Sequence, residues 1–220
     1  MSSAIIQLIV LAGIALFLIL RLKNVLGTRS GFEKPPIAKA PSGPSPVKRE
    51  FEVIEGGVDR DISDHISVKS DSGKALAAMK LIEPSFNVTG FLSGARSAYE
   101  MILMAFENGE LATLKQFLSE DVYTSFSSVV EAREAEGLKV EATFIGLREM
   151  KLTHAELNPD TKEAEITIKF LAELTSVVRN AAGEVVEGHA EEAKRQKDVW
   201  TFARIMGSDD PNWQLVATGG

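Results

Sequence analysis

The chain has 220 residues, room for one good-sized domain with appendages, and its 31 acidic and 24 basic residues leave a net charge of −7. It contains no cysteine, so neither a disulfide framework nor a cysteine nucleophile is available. The charge is divided unevenly: residues 21–49 carry seven basic residues against the single acid Glu33, a net of +6, and residues 50–220 carry 17 basic against 30 acidic, a net of −13. An acidic body of that size argues against nucleic acid as the main partner.

Residues 4–20 are apolar except for Gln7 and Gly13. Seventeen residues at about 1.5 Å each span roughly 26 Å, and Arg21 and Lys23 can reach the interface to complete the crossing. A cleaved signal peptide would need a basic start and a small-residue cleavage site; Met1-Ser2-Ser3 is uncharged and no such site follows. Residues 1–27 are therefore expected to be a transmembrane anchor. The basic flank, residues 21–49, keeps its own side in the cytoplasm, which puts the N-terminus outside and the body inside an inner membrane. Residues 28–57, with Pro35, Pro36, Pro41, Pro44 and Pro46, read as a linker of roughly 30 Å reach.

Residues 58–84 read as a transition holding one short helix, 74–82, stopped by Pro84. The domain proper is expected over residues 85–220, able to fold without what precedes it. Asn87 or Thr89 caps a long helix whose stripe is Phe91, Ala95, Ala98, Tyr99, Ile102, Leu103 and Phe106. Gly109 breaks it. Leu111, Leu114, Phe117 and Leu118 give a second helix, and Val122, Phe126, Val129 and Val130 a third that stops at Gly137. Beyond Gly137 the period falls to two. Strands are expected over about 139–155, at 165–170, over 184–205 with irregularity near 190–196, and over 213–218. Turns are marked by Asn158-Pro159-Asp160-Thr161, residues 180–183 and residues 207–212. The fold class is α+β, with helices packed on one face of an antiparallel meander.

No catalytic signature is present. His65, His154 and His189 lie apart without metal-ligand spacing, and neither a phosphate loop nor a nucleophile elbow occurs. No cofactor is expected. The run Glu191-Glu192 to Lys194-Arg195-Lys197 fits a solvated edge strand better than a docking patch. Trp200, Phe202 and Arg204 share a strand face, and Trp213 heads the next strand. Two tryptophans on adjacent strands are expected in the core; an arginine beside them must reach the sheet's end, a carboxylate or a ligand.

These residues carry a resemblance. The stretch Phe91 to Ala95, with Ala98, Tyr99, Glu100, Ile102, Ala105, Phe106 and Gly109, resembles the opening of the Tim44-like domain family. Val185 to Gly188, Asp198, Trp200, Thr201, Phe202 and Arg204, then Asp210, Pro211, Asn212, Trp213 and Leu215, resemble its close. Leu20-Arg21-Leu22 with Val25, Leu26, Gly27, Arg29 and Gly31 is similar to the alphaproteobacterial TimA branch. The resemblance implies a curved sheet cradling helices, cone-shaped and like the nuclear-transport-factor-two fold, around an apolar pocket. Tyr99, Phe106 and Phe126 would line that pocket from the helices; Ile168, Phe170, Trp200, Phe202, Arg204 and Trp213 would line it from the sheet. Mitochondrial members scaffold the import motor at the inner membrane, binding a DnaK-type chaperone and the translocation channel, and associate with cardiolipin. Those members engage the chaperone through a long N-terminal region, whereas an anchor and a Pro-rich linker are expected here, so the chaperone role is not carried over residue by residue.

Three functions are thereby expected, in descending order. The first is a non-enzymatic membrane-tethered adaptor for a protein partner, a chaperone or translocation machinery among them. The second is binding of a lipid or small apolar ligand in the pocket. The third is an enzyme of the cone-shaped class, for which Asp198 and His189 are only nominal acid or base groups.

Overall fold

A computed structural model describes residues 59–219; the anchor expected at 1–27 and the linker at 28–57 lie outside the described residues. Among the described residues, no helix is long and apolar enough to cross a membrane.

Three short signals start the helices. Asp59 accepts from the Asp61 N–H and opens α1 (Arg60–Ser63). The Ser70 hydroxyl accepts from the Gly73 N–H at 3.1 Å and opens α2 (Asp71–Ile82), three residues before the start expected from its apolar spacing. Asn87 caps α3 (Val88–Glu107) by accepting from the Gly90 N–H at 2.6 Å, and α3 buries the expected stripe through Phe91, Ala95, Tyr99, Ile102 and Leu103. After Gly109 come α4 (Leu111–Phe117) and α5 (Glu120–Ala135).

The strands β1 (Lys139–Leu157), β2 (Glu163–Arg179), β3 (Val185–Ile205) and β4 (Gln214–Gly219) form one antiparallel sheet in chain order. β2 continues well past the alternation at 165–170, because Ala172 and Leu174 stay on its buried face. Three single-residue bulges interrupt β1, after Phe144, Leu147 and Leu152, and each bends it. The irregularity expected near 190–196 is a larger bulge: Leu174 pairs with Lys194 and Ser176 with His189, so residues 190–193 face Thr175 alone. Helices α2 and α3 lie against β1, and α5 against β4. The molecule is α+β, helices on a four-stranded antiparallel sheet.

The stretch 58–84 does more than lead into the domain. Ile62, Leu76 and Met79 are at most 1% exposed and join the same core as Trp200 and Phe202. A side chain on Gly73 would strike the Ser67 carbonyl and the Val68 backbone, so α2 starts in close contact with its own lead-in. Asp61 caps α3 from outside: its carboxylate accepts from Val88 N–H at 2.8 Å, Thr89 N–H at 2.9 Å and the Thr89 hydroxyl at 2.8 Å, with Lys80 Nζ at 2.9 Å. Burial pushes this carboxyl up, but those four donors together hold it well below the usual carboxylate range. Residues 59–84 thus share the core of the domain expected at 85–220, and we propose that this domain opens before α1. The apolar side of the 74–82 helix is spent on the core through Leu76 and Met79; of its large apolar side chains, Leu81, 84% exposed, and Ile82 reach solvent.

Candidate functional site

The alternation of β2 and β3 aims Phe170, Trp200 and Phe202 at α3, where Tyr99 meets the first two and Phe91 the third. Tyr99 stacks on Phe170 with ring centroids 4.2 Å apart and touches Trp200 at 4.6 Å and Phe144 at 6.4 Å. Ile168, Phe170 and Tyr99 are fully buried, and Trp200 and Phe202 nearly so. As they stand these rings are core, and a ligand would reach them only by parting them. At the rim of the cluster the Tyr99 hydroxyl donates to Asp198 Oδ2 at 2.6 Å, and Gln196 donates to Oδ1 at 3.3 Å. Burial pushes the Asp198 carboxyl up, against the pull of those two donors, and burial beside Asp198 raises the Tyr99 phenol too. Each group has the other as a partner.

Arg204 meets a carboxylate. Its Nη2 donates to Glu83 Oε2 at 2.7 Å, which also accepts from the Gly207 N–H at 3.1 Å, and its guanidinium lies 5.3 Å from the centre of the Trp213 ring. Trp213 in turn packs 4.7 Å from Phe91 and 6.0 Å from Phe86. The bond from Arg204 holds the Glu83 carboxyl below its ordinary value of 4.5. Because the folded state lowers this value, the pair's contribution is complete above about pH 4.5 and disappears as pH falls through the lower folded value. Glu83→Gln leaves a guanidinium only 7% exposed without its counter-charge. It is expected to cost about 3 kcal/mol at pH 7 in urea unfolding, with the gap to wild type closing as pH falls below 4. An equal gap at pH 3 and pH 7 would remove the ion pair as the cause.

Phe106 and Phe126 sit elsewhere, with ring centroids 4.8 Å apart where α3 ends beside α5. There Phe106, Val130, Leu138 and Val140 line a cleft of about 400 Å³ together with Glu107, Arg133 and Lys139. The Arg133 guanidinium covers the Phe106 ring at 4.6 Å. Burial pushes the Glu107 carboxyl up, Arg133 and Lys194 pull it down, and Glu187 adds to the rise. Of the nine residues expected around a pocket, Phe106 lines this cleft, and Arg204 lines a second of about 390 Å³ with Glu163, Ile205 and Gln214. Sequence reasoning missed Phe91, Phe144 and Arg133 at these sites. Phe91 already stood on the α3 stripe; a bulge follows Phe144; nothing in the sequence sets Arg133 apart from the other charges of α5.

The two halves of the resemblance, the α3 stripe and the Asp198 to Trp213 stretch, thus meet at Tyr99–Asp198 and at Phe91–Trp213. The model of the Tim44-like domain matches residues 72–220. The chain belongs to the Tim44-like domain family. The Tim44-like region so matched begins within α2, in keeping with the burial of Leu76 and Met79. A human relative, mitochondrial import inner membrane translocase subunit TIM44, is 26% identical over 159 residues, covering 71% of this chain and 35% of its own. Subunit TIM44-1 of Arabidopsis thaliana is 20% identical over 195 residues, covering 84% of this chain and 41% of its own. The chain thus spans little more than a third of the length of these relatives. Among solved structures, the intermembrane space region of the chloroplast protein ARC6 aligns at a TM-score of 0.38 and 10% identity over 66% of this chain and 94% of that one, too distant to carry an argument.

Proposed function

We propose that this protein is a non-enzymatic, membrane-tethered adaptor that binds a protein partner at the cytoplasmic face of a bacterial inner membrane. The observation that carries this reading is the Tim44-like match over two thirds of the chain, to relatives named as subunits of an inner membrane import translocase. The N-terminal apolar run supplies the tether, residues 28–57 the reach, and residues 59–220 the binding body. The partner is a chaperone or a component of translocation machinery, and the branch is the alphaproteobacterial one. Crosslinking in native membranes followed by mass spectrometry tests the reading: a partner protein recovered in stoichiometric yield supports it. Lipid recovered without protein would favour the second reading, in which the cleft beside Phe106 takes an acyl chain, its apolar wall of Val130, Leu138 and Val140 ending at Arg133.

Topology gives a separate test. A reporter fused after Gly220 is expected to be active only when it is of the cytoplasmic type, because the net +6 of residues 21–49 holds that flank inside. Activity of a periplasmic reporter would overturn both the orientation and the cytoplasmic adaptor.

A further inference from the structure

The net charge hides a basic platform on the sheet face turned away from the helices. Strand register places it. Phe170 pairs with Met150 and Asp198 on the helix side, so the residues between them point the other way. On that outer face Lys151 stands directly opposite Lys169, whose neighbour on β3 is Val199. One step along, Glu149, Leu171 and Lys197 form the next row. One step further, Glu173 is held between Arg148 and Arg195, with Arg148 Nε at 2.8 Å and Arg195 Nε at 3.2 Å. Those two bonds, Arg148's first, hold the Glu173 carboxyl down, so it stays charged and locks both guanidiniums over the sheet. Five cations thus share these three rows with two carboxylates, one of them already spent on two arginines.

This arrangement opposes stability. Like charges directly across an antiparallel pair repel, and a solvated face has no need of Lys151 opposite Lys169. Lys151, Lys169 and Lys197 are exposed, and none enters a described ion pair. Strands about 4.8 Å apart and rows about 7 Å apart make a rigid patch of about 10 by 14 Å.

We propose that this outer face docks an extended acidic segment of a partner protein, its carboxylates meeting Lys151, Lys169 and Lys197 beside the Arg148–Glu173–Arg195 bridge. The proposal rests on the adaptor reading and supplies the chemistry of the partner. Its shape favours a narrow occupant. Glu141 lies on the same face beyond one end of the patch, and Glu156, Glu163 and Glu165 lie beyond the other. A flat anionic bilayer would press its headgroups on those carboxylates, whereas a segment crossing between them avoids all four.

The test uses the full chain in neutral detergent and a fluorescent ten-residue glutamate peptide, read by anisotropy. The triple variant Lys151→Gln, Lys169→Gln, Lys197→Gln is expected to bind at least tenfold more weakly than wild type. The difference should shrink as salt rises from 50 to 500 mM. Residues 21–49 are basic too, so Lys34→Gln, Lys39→Gln, Lys48→Gln is made in parallel and should leave the tenfold difference intact. Two further variants guard against misfolding. Glu149→Gln removes a carboxylate from the platform and should tighten binding, a gain no unfolding can mimic. Lys169→Gln should keep or raise the urea midpoint, since it relieves a repulsion. Equal affinity of wild type and triple variant overturns the proposal. So does displacement of the peptide by phosphatidylglycerol vesicles, and not phosphatidylcholine vesicles, in wild type but not in the triple variant, which would assign the face to a membrane. A crosslinked partner docked away from these lysines leaves the adaptor standing and removes this site alone.

Discussion

A chain starting at residue 85 is expected not to fold cooperatively, while one starting at residue 59 unfolds in a single transition. The shorter chain loses Ile62, Leu76 and Met79, each fully buried and each contributing about 1.5–3 kcal/mol. It also loses Glu83, which leaves Arg204 as an uncompensated buried cation at a further cost of about 3 kcal/mol, and Asp61, which caps α3 at about 1 kcal/mol. Removing Ser72 uncovers the Ala155 N–H on the β1 edge, which its hydroxyl now satisfies at 3.0 Å. Together these losses approach the whole stability of an ordinary domain, about 5–15 kcal/mol. Tryptophan fluorescence through a urea titration of both chains decides the matter. A sharp transition of residues 85–220 at a midpoint near that of residues 59–220 would restore the boundary at residue 85.

That boundary shows where sequence pattern reaches and where it stops. Long periodic segments were legible: the α3 stripe, the alternation of β2, and the turns after Leu157 and Arg179 follow from local chemistry. Arg204 was legible in part: a cation beside Trp200 and Phe202 must reach the sheet's end, a carboxylate or a ligand, and it meets a carboxylate. Which carboxylate was not legible. Glu83 is 121 residues away, at the end of a helix too short to announce its own packing. Asp61 was hidden in the same way: an acid in a polar run looks solvated until α3 brings its N-terminus alongside. The bulges of β1 leave no mark in composition, yet they put Arg148 on the outer face with Lys151. The charge run at 191–197 reads as one exposed edge, but its two halves part at the bulge. Residues 190–193 bulge opposite Thr175, and Arg195 and Lys197 face the outer platform.

Trp200→Ala carries the other large effect, a loss of about 3–5 kcal/mol. The indole is 3% exposed and is enclosed by Tyr99 at 4.6 Å, Phe170 at 5.8 Å and Phe202 at 6.3 Å. Its removal leaves a cavity that these rings cannot close, because Tyr99 is held at its other end by Asp198 and Phe170 is fixed by its strand. Trp200→Phe keeps an aromatic partner for Tyr99 and should cost less than half as much. The contrast with Trp213 is informative. That ring is half-buried at the start of β4, against Phe91 and under Arg204, so Trp213→Ala should cost less than Trp200→Ala and should lower the gain from the Arg204–Glu83 pair. Urea midpoints for the three variants give the ranking. If Trp200→Ala costs under about 1 kcal/mol while crosslinking to the partner falls, then Tyr99, Phe170 and Trp200 open in solution, and the cluster is a recognition surface that the resting state keeps closed.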